Sequence, residues 1–112
     1  MLISNVDDHL RNHGLLWLGN AGWSLSPAYD LNPVPADLKA RVLTTNIDLD
    51  EGTCSLDFLE AASGYFALTL TQACVIIREV ATVTATWRET ARAVGAGSSE
   101  INFMASASEH TI

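Results

Sequence analysis

Asn5-Val6-Asp7-Asp8-His9-Leu10-Arg11-Asn12-His13-Gly14 runs directly into Leu15-Leu16-Trp17-Leu18-Gly19-Asn20-Ala21-Gly22-Trp23-Ser24-Leu25-Ser26. The first half gathers more carboxylates, amides and imidazoles than an ordinary surface loop needs. The second half (15–26) reads as a β-hairpin, because two apolar stretches flank Gly19-Asn20-Ala21-Gly22, whose residue types favour a turn. Pairing around a four-residue turn predicts Leu18 opposite Trp23 and Leu16 opposite Leu25. Extending that register past the strand ends brings the stretch around Arg11 and Asn12 beside the stretch around Tyr29 and Asp30. The hairpin thereby joins two polar loops, 5–14 and 27–33.

Further along, Asn32 to Gly52 is a long connection with Pro33 and Pro35, a short helical turn at Ala36 to Ala40, an apolar Val42-Leu43 and acidic Asp48, Asp50 and Glu51. The remainder, 54–110, reads as helical. Ser55 sits where an N-cap belongs, Leu56, Leu59 and Ala62 form a short apolar stripe, and Gly64 is placed to end that helix. Thr69 or Thr71 caps the next. The periodicity predicts one long helix from about Thr71 to Val94, with Ile76, Val80, Val83, Trp87, Ala91 and Val94 on the buried face and Gly95 as terminator. A last helix opens near Ser98 or Ser99 and presents Ile101, Met104, Ala105 and Ser108 on one side.

Composition narrows the function. A chain of 112 residues with 48% hydrophobic and 17% charged side chains holds one modest core. Its formal charge of −7 and its single lysine, Lys39, exclude a basic stripe for nucleic acid. The most apolar helix is interrupted by Arg78 and Glu79 well short of a membrane span, and the start has no basic leader pattern. A cytoplasmic protein is expected. Cys54 and Cys74 lack a CxxC spacing and read as reduced thiols in or near the core.

The chemistry concentrates in the two polar loops. Phosphoryl transfer needs an aspartate to accept or orient a hydroxyl proton, an asparagine a few residues on, and a second aspartate, the latter two offering hard oxygens to magnesium. Asp7, Asn12 and Asp30 supply that set. A different reading pairs His9 with His13, four apart, as metal ligands for a metal-dependent hydrolase. Gly14 and the following strand leave little helix to aim both rings at one ion, so an exposed or hydrogen-bonded His13 is expected. Trp17, Trp23 and Trp87 read as core or rim packing. Lys39 reads as a solvated side chain, and Gly95-Ala96-Gly97 as a helix-terminating linker.

The order Asn5-x-Asp7-x-His9-x-Arg11-Asn12, then a hairpin, then Ser26-Pro27-x-Tyr29-Asp30, resembles the HipA-like serine/threonine kinases. The likeness extends through Asp30-Leu31-Asn32-Pro33-Val34-Pro35, Thr44-Thr45-Asn46-Ile47-Asp48, the Trp87 helix and the Met104 helix. The resemblance implies a fold that is mainly α, the helical C-terminal lobe of a kinase-like domain with one small β-hairpin. It implies Asp7 as catalytic base, Asn12 and Asp30 as magnesium ligands, and His9 and Arg11 as residues that shape the loop. ATP and magnesium would be the cofactors of the complete kinase, a protein serine or threonine its substrate, and a HipB-type DNA-binding antitoxin its partner.

The same kinases carry a phosphate-covering loop, a strand lysine that reaches the phosphates and a carboxylate that orients it. None of these can be read in the 112 residues, so the chain reads as a fragment or a late start, inactive by itself and binding ATP and magnesium weakly. The alternative is a non-catalytic interaction module of a toxin–antitoxin system, whose bare apolar surface favours self-association or a partner.

Overall fold

The structure is a computed structural model that describes residues 1–109. Strands Leu15–Trp17 (β1) and Trp23–Leu25 (β2) pair antiparallel, as Leu15 with Leu25, Leu16 with Ser24 and Trp17 with Trp23. The hairpin forms as expected, but its register is one residue away from the expected one. Leu18 belongs to the turn: its N–H donates to Gly22 O at 2.7 Å, and Gly22 N–H donates to Gly19 O at 3.0 Å. Gly19 (φ +65) and Gly22 (φ +87) take left-handed conformations that are cheap only without a Cβ. A one-residue slip turns β1 over relative to β2, so Leu15 and Trp17, in place of Leu16 and Leu18, share a face with Trp23 and Leu25.

That face is uncovered. Trp17 is 61% and Trp23 65% exposed, and their rings pack on each other at 5.2 Å between centroids. Of the core or rim packing expected for these two tryptophans, the rim is what the structure gives, because nothing among the described residues lies over the hairpin. Trp87 is half-buried, with the Arg88 guanidinium 4.9 Å from its ring centroid.

Helix, 3-10 turns included, makes up 45% of the described residues. Leu56–Ala61 (α1) follows Ser55, which fills the cap position without a side-chain hydrogen bond. Gly64 does not stop it; the chain tightens into a 3-10 turn, Ala62–Phe66, that passes through the glycine. Leu70–Thr84 (α2) is capped by Thr69, whose hydroxyl accepts from Gln72 N–H while Gln72 Oε1 accepts from Thr69 N–H. The single long helix expected to Val94 is two, α2 and Trp87–Ala93 (α3). At the break the hydroxyls of Thr84 and Thr86 donate to Ala81 O and Val83 O, competing with the helical ladder. Gly95 (φ +93) then ends α3 as expected. Ser98–Phe103 (α4) and Ala105–Ser108 (α5) complete the described chain. The last residue of the expected helical part, 110, lies outside the described residues.

The core is thin: Val6, Cys54, Ala62, Ala73, Ile77, Ile101 and Ala107. Helix α2 buries Ala73 and Ile77, one turn apart, and packs on α1 and the 3-10 turn behind it. The neighbouring stripe of Ile76, Val80 and Val83, expected inside, stays exposed, as does Val94. The radius of gyration, 15.6 Å, exceeds the about 13 Å of a compact chain of this length.

A polar knot draws the ends together. Ser4, fully buried and left-handed at φ +50, donates through its hydroxyl to Ala107 O at 2.7 Å. Arg41 donates to Ser4 Oγ at 2.5 Å, to Met1 O at 3.2 Å and to Cys54 O at 3.4 Å. Its carbonyl accepts from Cys54 N–H at 2.9 Å. Ser106 Oγ accepts from Ala36 N–H at 3.2 Å.

Replacing Arg41 by Met is expected to cost about 2–3 kcal/mol, since three acceptors lose a charged donor at once. Arg41→Lys should recover less than half, because one ammonium cannot span the fork. Urea unfolding checks both; a loss under about 0.5 kcal/mol for Arg41→Met would remove the knot from the stability of the fold. A second expectation concerns pH. The hydrogen bond from Arg88 Nε (2.5 Å) holds the Glu109 carboxyl below its ordinary value of 4.5. A folded value below the unfolded one gives a contribution that is full above pH 4.5 and fades as pH falls through the folded value. NMR titration of the Arg88 Nε–H resonance should show this acid transition, and Glu109→Gln should abolish it.

Candidate functional site

The first polar loop is built on Val6, 1% exposed, whose burial fixes the backbone while Asp7 beside it faces solvent. Leu10–Asn12 then forms a single 3-10 turn. Asn12 is 8% exposed, with its Oδ1 accepting from His9 N–H at 3.1 Å. Its Nδ2 donates to Asp30 Oδ2 at 2.8 Å across eighteen residues of chain. Asp30 Oδ1 accepts from Asn32 Nδ2 at 2.7 Å, and Asn32 N–H donates to Asn5 Oδ1 at 3.2 Å. Asp30 itself sits at φ +56, a conformation Asp tolerates better than most residues.

The hairpin delivers Asp30 to this place. Ser26 N–H donates to Gly14 O at 2.8 Å, and Tyr29 OH donates to Arg11 O at 2.8 Å. Both pairs continue the register of Leu15 with Leu25. A Cβ at Gly14 would come within 3.1 Å of Ser26 Oγ, so the close approach favours glycine.

A second segment braces the loop from the other side. Val42 bridges Thr53, and Leu43 N–H donates to Gly52 O at 2.6 Å. That short ladder presents Thr44, whose N–H and hydroxyl both donate to Val6 O at 3.1 Å. Thr45 Oγ1 donates to Asp8 O at 2.9 Å. At Asp7, Oδ1 accepts from Thr44 Oγ1 at 3.4 Å and lies 3.7 Å from Lys39 Nζ.

Of the residues singled out by sequence, the fold brings Asn12 and Asp30 into contact and sets Asp7 at the rim of the same loop. His9 precedes the 3-10 turn and engages Asn12 through its main chain; its Nδ1 is buried without a hydrogen-bond partner among the described residues. Arg11 contributes its carbonyl, held by Tyr29. Sequence reasoning gave no site role to Asn5, Tyr29, Asn32, Thr44 or Thr45, although most of them lie in the stretches that carry the resemblance, and it read Lys39 as a solvated side chain. Asn5, Tyr29 and Asn32 lay inside the dense polar stretches, whereas Lys39, Thr44 and Thr45 come from a connection that carries no local signal.

Cis ligands on an octahedral magnesium, bound at about 2.1 Å, lie about 3 Å apart. The Asn12 and Asp30 side chains already approach to 2.8 Å. Turning the Asn12 amide over would set its oxygen beside the Asp30 carboxylate, two acceptors that a cation would hold together. One carboxylate and one amide suit a hard ion that keeps its other positions for water and phosphate oxygens. The His9 and His13 pair fits poorly: both residues are in extended backbone on either side of a three-residue 3-10 turn, not on one helix face, and His13 Nε2 lies 3.0 Å from Asp8 Oδ2. Among the described residues no three His, Cys, Asp or Glu side chains converge on a common point.

Residues 1–87 match the model of the HipA-like C-terminal domain. The chain belongs to the HipA-like C-terminal domain family. The matched span contains every residue of the candidate site and ends at Trp87, so the rest of α3, α4 and α5 lie beyond it. No curated protein and no solved structure matches the chain.

The left-handed backbone at Asp30 separates two variants that both remove the carboxylate. Asp30→Ala is expected to be about 1 kcal/mol less stable than Asp30→Gly, because only Ala sets a Cβ against the carbonyl at positive φ. Urea unfolding of the pair measures the difference; equal stabilities would mean that position 30 is not held left-handed.

Proposed function

We propose that this HipA-like domain contributes the catalytic base and the metal ligands of a serine/threonine protein kinase, acting in the transfer of the terminal phosphoryl group of ATP to a protein hydroxyl. The observation that carries the reading is the 2.8 Å contact between Asn12 and Asp30, two residues a hairpin apart. Asp7 accepts the proton of the attacking hydroxyl as its oxygen bonds to the terminal phosphorus and the bond to the β-phosphate oxygen breaks, releasing ADP. Asn12 and Asp30 would hold magnesium, which would neutralise charge on the phosphates. The hydrogen bonds of Thr44, Thr45 and Tyr29 fix the loop before substrate arrives, where positioning is most of the catalysis. The setting of this activity is cytoplasmic; no helix among the described residues is long and apolar enough to cross a membrane.

The 112 residues carry no glycine-rich phosphate loop and no strand lysine. Alone, the chain is expected to bind Mg-ATP weakly and to transfer no phosphate. Calorimetric titration of ATP with magnesium into the chain and into Asp30→Ala tests the metal site. Weak binding in the parent that disappears in the variant supports it. Equal heats from both proteins would sink it, and robust autophosphorylation would overturn the expectation of inactivity.

A second reading, an interaction module of a toxin–antitoxin system, draws on a different observation. Gly14 to Tyr29 contains no charged side chain, and within it Leu15, Leu16, Trp17, Leu18, Trp23 and Leu25 are all exposed. An apolar patch of that kind favours self-association or a partner such as a HipB-type antitoxin. Sedimentation of the chain beside a Trp17→Ser/Trp23→Ser variant distinguishes it: concentration-dependent association lost in the variant supports this role, and a monomer at all concentrations removes self-association.

A further inference from the structure

The sequence places Lys39 in a connection with nothing to recommend it, yet the fold carries its ammonium to 3.7 Å from Asp7 Oδ1. It is the one lysine of a chain with a formal charge of −7. The short turn that holds it is closed by Leu38 and Lys39 N–H groups donating to Pro35 O, and Pro35 is buried. The position of the turn is fixed from behind by the bond from Ala36 N–H to Ser106 Oγ on α5. Its backbone is therefore anchored while the side chain remains half exposed.

Charge accounting gives this cation a task. Asp7, Asp8 and Asp30 carry three negative charges on the two polar loops, which Arg11 and a single magnesium ion together cancel. A polyphosphate entering such a site would meet no net attraction unless a further positive charge stands on the Asp7 side. We propose that Lys39 is that charge: a phosphate-binding residue that leaves Asp7 to take a terminal phosphate oxygen when a magnesium polyphosphate enters. An exposed ammonium–carboxylate pair is weak, and at 3.7 Å this one lies beyond hydrogen-bond distance, so exchanging one anionic oxygen for another is easy. Thr44 Oγ1 shares its one proton between Val6 O at 3.1 Å and this Oδ1 at 3.4 Å, and so leaves Asp7 a contact when the lysine departs. This assignment rests on the phosphoryl-transfer reading and adds a phosphate contact drawn from the chain's own connection.

Because Lys39 is the only lysine, 13C-lysine labelling gives one ε-methylene resonance that reports on it directly. Magnesium is added alone, then with ATP, with tripolyphosphate and with AMP in separate arms, while the Asn12 side-chain amide resonances report on the metal site. The expected result is a Lys39 shift with magnesium plus ATP or tripolyphosphate, none with magnesium alone or AMP, and loss of the response in Asp30→Ala. A response to both polyphosphates identifies the bare phosphate chain as the ligand, and a response to ATP alone identifies the nucleotide. Read at Asn12, Lys39→Met should weaken magnesium tripolyphosphate about tenfold, a loss of one charge-assisted contact, with Lys39→Arg within about threefold of the parent and magnesium affinity unchanged in both. If Asn12 responds to magnesium while Lys39 answers neither polyphosphate, the lysine assignment falls and the metal site stands. If neither reporter moves, both fall. Equal losses in the Met and Arg variants, or a parallel loss of magnesium affinity, would make Lys39 a structural residue and overturn the proposal.

Discussion

The knot around Arg41 is the interaction on which the rest of the structure depends. The apolar core consists largely of alanines, one valine, one cysteine and two isoleucines, too little to hold the two ends of the chain together by burial alone. Arg41 replaces that missing volume with directed bonds to Met1, Ser4 and Cys54, while Ser4 in turn reaches Ala107. The N-terminal turn, the connection and the last helix become one body. A guanidinium is the side chain for this, since it presents several donors at fixed angles and keeps its charge at any relevant pH.

From the knot, rigidity passes to the candidate site along the backbone. Arg41 begins the short ladder of 41–43 with 52–54, and the next residues, Thr44 and Thr45, bond the carbonyls on either side of Asp7. The hairpin approaches from the opposite direction through Gly14, Arg11 and Asn12. The loop 5–12 is thus clamped between two elements remote in sequence, with the Asp7 side chain exposed at its rim. Asp7 is a carboxylate that is exposed but rooted on a backbone hydrogen-bonded on both sides of it.

How much of this was legible follows from where each signal lies. The polar density of 5–14, the turn glycines of the hairpin and the Tyr29-Asp30 pair are local, so the meeting of Asn12 with Asp30 could be read from sequence. The register could not, because a glycine on each side of Asn20 and Ala21 permits both a four-residue turn and a five-residue turn that absorbs Leu18. The break between α2 and α3 was hidden in a run of threonines whose hydroxyls bond carbonyls one turn back, an effect that hydrophobic periodicity does not register. Thr44, Thr45 and Lys39 reach the site only through tertiary placement of the connection, and no spacing rule encodes that.

The exposed apolar surface is the other half of the same economy of core. Periodicity correctly found a wide apolar face on α2, but the chain covers only the sector of Ala73 and Ile77 and leaves Ile76, Val80 and Val83 to solvent. The hairpin is similar, with a four-residue apolar face and three-residue strands, and an isolated two-stranded hairpin is marginal in water. What keeps it in place is its polar base: Ser26 to Gly14, Tyr29 to Arg11 and Asp30 to Asn12. The bonds that assemble the candidate site are therefore also those that hold the hairpin, so that loosening the Asn12 and Asp30 contact frees the apolar strands, and covering those strands steadies the contact. Site geometry and surface exposure are coupled through one short stretch of backbone, and whatever body comes to lie on the hairpin acts on the Asn12 and Asp30 contact without touching it.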